Sequence, residues 1–136
     1  MNKVDHIGIA VKNLDETIPY YTETLGLTLL KIEEVASESV RVAFIDAGNV
    51  KLELLEPLSE TSAIQSFIEK KGEGIHHIAF GVEGIEERMN DLRTKGIRIL
   101  TEQPKIGAGG AQVAFLHPKS SYGVLYELCD KSGIKG

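Results

Sequence analysis

Two histidines and two glutamates stand at matching places in a chain that repeats itself. DHIGIAV at 5–11 is answered by HHIAFGV at 76–82, which puts His6 and His77 at the head of equivalent apolar strands, 77 − 6 = 71 apart. LEL at 52–54 is answered by YEL at 126–128, which puts Glu53 and Glu127 mid-strand, 127 − 53 = 74 apart. Glutamate is depleted in strands and costly to bury without a partner. A single strand histidine is ordinarily structural, and a single such glutamate can pair with a lysine. Two of each, at equivalent points of a repeat, point to a site. If the copies pack about a pseudo-two-fold axis, all four side chains converge on that axis. Two imidazoles and two carboxylates then make a divalent first-row metal site with room for water or substrate oxygens. No thiolate belongs to the set, because Cys129 is not duplicated. The donors suit Co²⁺, Mn²⁺, Ni²⁺, Fe²⁺ or Zn²⁺ without choosing among them.

The elements that must position these residues follow from hydrophobic period. Val4–Val11 reads as a strand with Ile7, Ile9 and Val11 on one face and His6, Gly8 and Ala10 on the other. Asn13 followed by Glu16 resembles a capping box, and Leu14, Ile18, Tyr21 and Leu25 repeat at helical spacing up to Gly26. Pro19 requires that this helix either start later or kink. Strands are expected at 27–35, 41–46 and 50–56, the last two joined by a turn at Gly48-Asn49. The first module, 1–57, is thus β-α-β-β-β. A connector at 58–74 carries a short helix from Ser62 to Lys70. The second module, 75–130, reads as strand 75–82, helix 84–95, strand 97–101, a long loop EQPKIGAGGA, strand 112–117, loop HPKSSYG and strand 123–129, with a frayed tail at 131–136. The fold class is α+β: two tandem modules related by pseudo-two-fold symmetry, forming a curved mixed sheet around the metal site. His76 points away from His77 by alternation and reads as structural or as support for it, and His117 before Pro118 reads as a loop cap.

Composition narrows the function. At 136 residues the two modules are each at the margin of independent stability, so 1–136 is expected to be one domain. A hydrophobic content of 42% with 26% charged residues is that of a soluble globular chain, and no apolar run reaches the roughly 18 residues of a membrane span. MNKVDH leads directly into a strand, so no signal peptide is expected, and one cysteine suits a reducing compartment. A net charge of −5 argues against nucleic-acid binding but leaves room for an anionic small molecule.

Duplicated β-α-β-β-β modules with this ligand pattern resemble the vicinal oxygen chelate superfamily over essentially the whole chain. Longer runs, DHIGIAVKNLDETIPYY, LELLEPL, GEGIHHIAFGV, KIGAGGAQVAFLHPK and GVLYEL, resemble the methylmalonyl-CoA epimerases in particular. The resemblance implies metal ligands at His6, Glu53, His77 and Glu127, a divalent ion with Co²⁺ first and Mn²⁺, Ni²⁺ or Zn²⁺ next, a homodimer and a cytoplasmic location. It implies interconversion of (R)- and (S)-methylmalonyl-CoA through an enolate. Inversion needs acid/base groups on both faces of C2. Glu127 fills one role by resemblance. The position of a second catalytic glutamate in some epimerases falls on Val42, which cannot move a proton, so Glu53 is expected in its place. Otherwise Glu53 is a ligand only, and a water, Glu34 or Glu38 serves. The loop with Lys105, Gly107, Gly109 and Gly110 is expected to meet the substrate through backbone N–H groups, and Lys105 and Lys119 to meet CoA phosphates or the free carboxylate. Two rivals stand beside this reading. One is glyoxalase I, whose usual closing motif resembles DPDG followed by a strand, where this chain has HPKSSYG. The other is a metal-free binding protein on the same scaffold, which would not need the four ligands.

Overall fold

In a computed structural model, residues 1 and 3–134 are described. They divide into two compact units, His6–His76 and the combination of Met1–Asp5 with the chain from His77 onward. The first contains β1 (Val4–Ala10, from His6), α1 (Leu14–Pro19), β2 (Thr28–Val35), β3 (Val40–Asp46), β4 (Lys51–Pro57) and α2 (Ala63–Lys71). Its strands lie in the order β2-β3-β4-β1, the first two pairings antiparallel and β4–β1 parallel. The parallel pairing is what requires a crossover, supplied by α1 and two further strands. One face of this sheet packs on α1 through Leu14, Ala43, Ile45 and Leu54, with Ile9, Leu52, Ile18 and Tyr21 around them. Leu54 is fully buried, and each such side chain contributes about 1.5–3 kcal/mol.

The expected capping at Asn13 is present: its side-chain oxygen accepts from the Glu16 backbone N–H at 3.0 Å. Pro19 does not delay the helix. It has no N–H to close its α turn, and beyond it residues Tyr20–Thr24 widen into a π turn in which Leu25 N–H reaches the Tyr20 carbonyl at 2.9 Å.

The second unit repeats the plan with β5 (Gly74–Gly81, from His77), α3 (Ile85–Thr94), β6 (Lys105–Ile106), β7 (Gln112–Phe115) and β8 (Tyr126–Asp130). The order is β5-β8-β7-β6, with β5–β8 parallel and the rest antiparallel. Its core joins Ile85 and Met89 of α3 to Ala114, Leu116 and Leu128 of the sheet. Even the helix capping is duplicated. Glu56 at the end of β4 accepts from Leu14 N–H at 2.8 Å, and Asp130 at the end of β8 accepts from Ile85 N–H at 3.1 Å.

Three expectations need correction here. Residues 97–101 form no ladder, only a bridge between Ile99 and Leu116. Two backbone bonds flank that bridge, Leu100 N–H to the Phe115 carbonyl at 2.9 Å and His117 N–H to the Arg98 carbonyl at 2.8 Å, and just beyond it the Arg93 guanidinium holds the carbonyls of Thr101 and Glu102 at 2.8 and 2.9 Å. The edge strand is instead β6, inside the stretch expected to be loop. The last strand begins at Tyr126 rather than 123, because Tyr122 and Gly123 have positive φ and close a turn. In the tail, Lys131–Ile134 form a turn, Ile134 N–H to the Lys131 carbonyl at 3.0 Å; the rest of it lies outside the described residues. No helix among the described residues is long and apolar enough to cross a membrane.

Candidate metal and acid/base site

Strand alternation sends the core side chains of each sheet to its helix and the site residues to the opposite face. In the first unit Leu52 and Leu54 face α1, so Glu53 between them faces away. Gly8 lies directly opposite Glu53 on the parallel neighbour β1, which leaves space for a carboxylate above the strand. His6 is two residues earlier on β1, and its Nδ1 lies 3.3 Å from Glu53 Oε2. In the second unit Ala79 is opposite Glu127 in the same register, and His77 Nε2 lies 3.7 Å from Glu127 Oε1. Phe115 stands edge-on to the His77 ring, centroids 5.4 Å apart, and fixes its orientation.

All four side chains belong to residues only 3–6% exposed. Buried carboxylates of this kind are retained where a cation or donor meets them. Each unit therefore offers one imidazole and one carboxylate in contact. Metal–nitrogen and metal–oxygen bonds of about 2.0–2.2 Å imply donor–donor edges of roughly 3.0–3.4 Å. The observed pairs are at or slightly above that range, so their chemistry and spacing fit one edge each of a divalent coordination sphere.

The first unit also shows what sequence reading missed. Cross-strand register sets two rows on the site face: Lys31–Phe44–Glu53 and Glu33–Val42–Leu55. Val42 is 1% exposed and apolar, as expected. The carboxylate opposite it is Glu33. Glu34 pairs in register with Arg41 on the other face, and Glu38 sits in a 3₁₀ turn, so neither of the two alternatives named from sequence shares Val42's row. Lys31 Nζ lies 3.5 Å from Glu33 and 5.0 Å from the Phe44 ring centroid. The signal for this was alternation along TLLKIEEV, obscured by a register shift between Leu29 and Lys31.

His76 is structural, as expected. Burial, with Lys71 adding to it, pushes its imidazole down to about 4, and the neutral ring packs edge-on against Phe67 at 5.0 Å. His117 is a cap, its Nδ1 accepting from Lys119 N–H at 3.0 Å. Lys105 and Lys119 are exposed, on β6 and on the turn after His117. Between β6 and β7, Gly109 and Gly110 have φ of 71° and 81°, a region closed to most side chains. Gly107 is required differently: a Cβ there would lie 3.1 Å from a Val113 methyl.

A profile of the glyoxalase/bleomycin resistance protein/dioxygenase superfamily matches residues 5–115. An ethylmalonyl-CoA/methylmalonyl-CoA epimerase from Cereibacter sphaeroides is 42% identical, over 94% of this chain and 97% of its own. The chain belongs to the methylmalonyl-CoA epimerase family. Solved structures agree with that placement. The Streptomyces coelicolor methylmalonyl-CoA epimerase, in complex with 2-nitronate-propionyl-CoA, superposes with a TM-score of 0.91 at 39% identity, covering 98% of this chain and 97% of that one. A hypothetical protein from Bacillus halodurans does so at 0.94 and 51% identity, covering 98% and 97%. The epimerase family thus accounts for both β-α-β-β-β units and for the α+β class. Lactoylglutathione lyases stand further off; the one from Arabidopsis thaliana is 27% identical.

Proposed function

We propose that this chain is an isomerase that interconverts (R)- and (S)-methylmalonyl-CoA. One observation carries the reading: a buried imidazole–carboxylate pair in each unit, His6 with Glu53 and His77 with Glu127, in a chain of the epimerase family. His6, Glu53, His77 and Glu127 would hold one divalent ion, Co²⁺ first and Mn²⁺, Ni²⁺ or Zn²⁺ next, which would supply a fixed positive charge for the negative charge that develops on the thioester oxygen.

The protein's own groups supply the rest. C2 of the substrate is flanked by a thioester and a carboxylate, so its proton is acidified but still needs a base. Glu127 takes or returns it on one face and Glu53 on the other, which is what inversion requires. Val42, buried and apolar, removes the alternative base on β3. The turn from Lys105 to Gly110 offers backbone N–H groups to the acyl chain, and Lys105 and Lys119 offer charge to CoA. Residues 1–136 act as one domain, in a cytoplasmic homodimer. Glyoxalase I chemistry is disfavoured by the closer match to the epimerases.

The test is proton exchange at C2 of methylmalonyl-CoA in deuterated water, with cobalt-loaded protein and a chelated control. Metal-dependent exchange accompanied by racemisation is expected. A protein that binds the ion and exchanges nothing would be some other enolising enzyme of the superfamily.

A further inference from the structure

The second unit contains a cleft of about 870 Å³ bordered by Lys3, Asp5, Gly81, Arg88, Cys129 and Lys131. That is the size of a pocket for a small organic ligand. It adjoins the proposed site, because Cys129 follows Glu127 by two residues and shares its face of β8. Three cationic side chains border it, against two acids, Asp5 and Glu83. Lys131 is set by Asp5, Nζ to Oδ2 at 2.9 Å, with the Asp5 carboxylate buried. Lys3 is folded across Gly81: a Cβ at Gly81 would stand 2.7 Å from Lys3 Cε and 3.2 Å from its Cγ. The backbone bond from Gly81 N–H to the Lys3 carbonyl, 3.1 Å, holds that crossing in place. Arg88 projects from α3, half-buried, and neither it nor Lys3 is neutralised by a side chain among the described residues.

The internal repeat supplies a control. The first unit has a cleft at the equivalent place, bordered by Ala10, Lys12, Thr17, Glu73 and Gly74. The offsets are those of the repeat: 81 − 10 = 71, 88 − 17 = 71 and 74 − 3 = 71. Where the second unit has Arg88 and Lys3, the first has Thr17 and Gly74. Glu73 turns inward there, accepting from Lys12 N–H at 2.8 Å. The exchange runs both ways, since Glu83 of the second cleft stands where the first has Lys12, 83 − 12 = 71; the second nevertheless has three cationic side chains to two acids, and the first has one, Lys12, to two, Glu16 and Glu73. In a chain of net charge −5 this is a local reversal of sign.

We propose that this cleft binds phosphate groups. A guanidinium and ammonium groups converging on a recess are the chemistry of phosphate recognition. Two sources carry such groups: the nucleotide end of the acyl-CoA substrate, or a separate phosphate-bearing small molecule. The first rests on the epimerase reading and the second does not.

The experiment is calorimetric titration of the full chain with adenosine 3′,5′-bisphosphate and with inorganic pyrophosphate. The wild type is compared with Lys3→Glu, Arg88→Glu and the double variant, and with Lys70→Glu on α2 as a charge control. The expected result is binding by the wild type, weakened roughly tenfold by each single substitution, more by the double, and unchanged in the control. Kinetics then separate the sources. A raised KM for methylmalonyl-CoA at constant kcat, with no change for methylmalonyl-pantetheine, which has no nucleotide, assigns the cleft to CoA. Loss of phosphate binding with the KM for methylmalonyl-CoA unchanged assigns it to a separate molecule. Failure to epimerise leaves the titration readable and would count against the function, not the cleft. Absence of phosphate binding in the wild type, or equal binding in all variants, would overturn the proposal.

Discussion

Replacing Glu53 by Gln separates the two jobs assigned to that residue. The side chain keeps its length and one oxygen, and it remains 3.3 Å from His6 in the same buried place. A neutral oxygen still donates to a divalent ion but no longer takes a proton from carbon. General acid–base catalysis contributes about 10²–10⁴-fold, so epimerisation should slow by that factor, a barrier increase of roughly 3–5.5 kcal/mol. Metal content by elemental analysis should stay near one ion per chain. The decisive readout is stereochemical. With Glu127 intact, one enantiomer should still exchange its C2 proton for deuterium without inverting, while the other is inert. Glu127→Gln should give the opposite preference. Register adds a rescue: Val42 pairs with Leu55, two residues along β4 from Glu53, so a carboxylate at 42 stands one diagonal step of about 7–8 Å away. Val42→Glu in the Glu53→Gln background should recover part of the lost rate. Glu53→Gln with full metal and an undiminished epimerase rate would refute Glu53 as an acid/base group, leaving it a ligand only.

The remaining expectations concern stability and metal. Leu128→Ala opens the core between β8 and α3 at a fully buried position and should cost about 2–5 kcal/mol in a denaturant titration. Asp130→Ala removes the cap of α3 and should cost about 1–2 kcal/mol. Burial alone would raise the Asp130 carboxyl, but hydrogen bonds from the side chain and backbone of Ser132, and from Ile85 and Gly84 N–H, outweigh it and hold the group below its ordinary value. A depressed carboxyl stabilises above its unfolded pKa of about 3.9 and loses that contribution as pH falls through the folded value. Wild type should therefore lose stability below about pH 4 more steeply than Asp130→Ala. Chelation should lower Tm, because an ion present at about a thousand times its Kd stabilises the folded state by roughly 4 kcal/mol; an unchanged Tm after complete removal would count against a shared four-residue site.

Much of the candidate site was legible because duplication is visible in residue types. Glu53 and Glu127 violate the strand preference at equivalent places, His6 and His77 recur with them, and a rule broken twice in the same way points to chemistry. Core faces were legible for the related reason that Ile9, Leu52, Leu54 and Leu128 obey period two. What escaped were features set by backbone hydrogen bonding rather than side-chain pattern. IRIL at 97–100 has the composition of a strand, yet it pairs only through the bridge at Ile99, and Arg93 holds the carbonyls that follow. Lys105–Ile106 is too short to announce itself and exists because Gly107 turns closely against Val113. Lys31 and Glu33 looked like surface charge until the register shift in β2 placed them on the rows of Phe44 and Val42.

Duplication also explains why the two halves differ where they do. A duplicated chain supplies each feature twice, and two acid/base groups suit inversion at C2, where a proton must leave one face and arrive on the other. The imidazole–carboxylate pairs and the carboxylates capping α1 and α3 are accordingly kept in both units. The substrate itself is not symmetric: it has one acyl end and one long anionic carrier. If the cleft serves CoA, the groups that read the carrier lie on one unit only. Arg88 and Lys3, opposed to Thr17 and Gly74, are one-sided features, and so are Gly109 and Gly110, opposed to Glu38 and Ser39 in the turn between β2 and β3. If substitutions at the symmetric positions change kcat while those at the one-sided positions change KM, the division between chemistry and recognition follows the repeat. If Arg88→Glu lowers kcat as far as Glu53→Gln does, it does not.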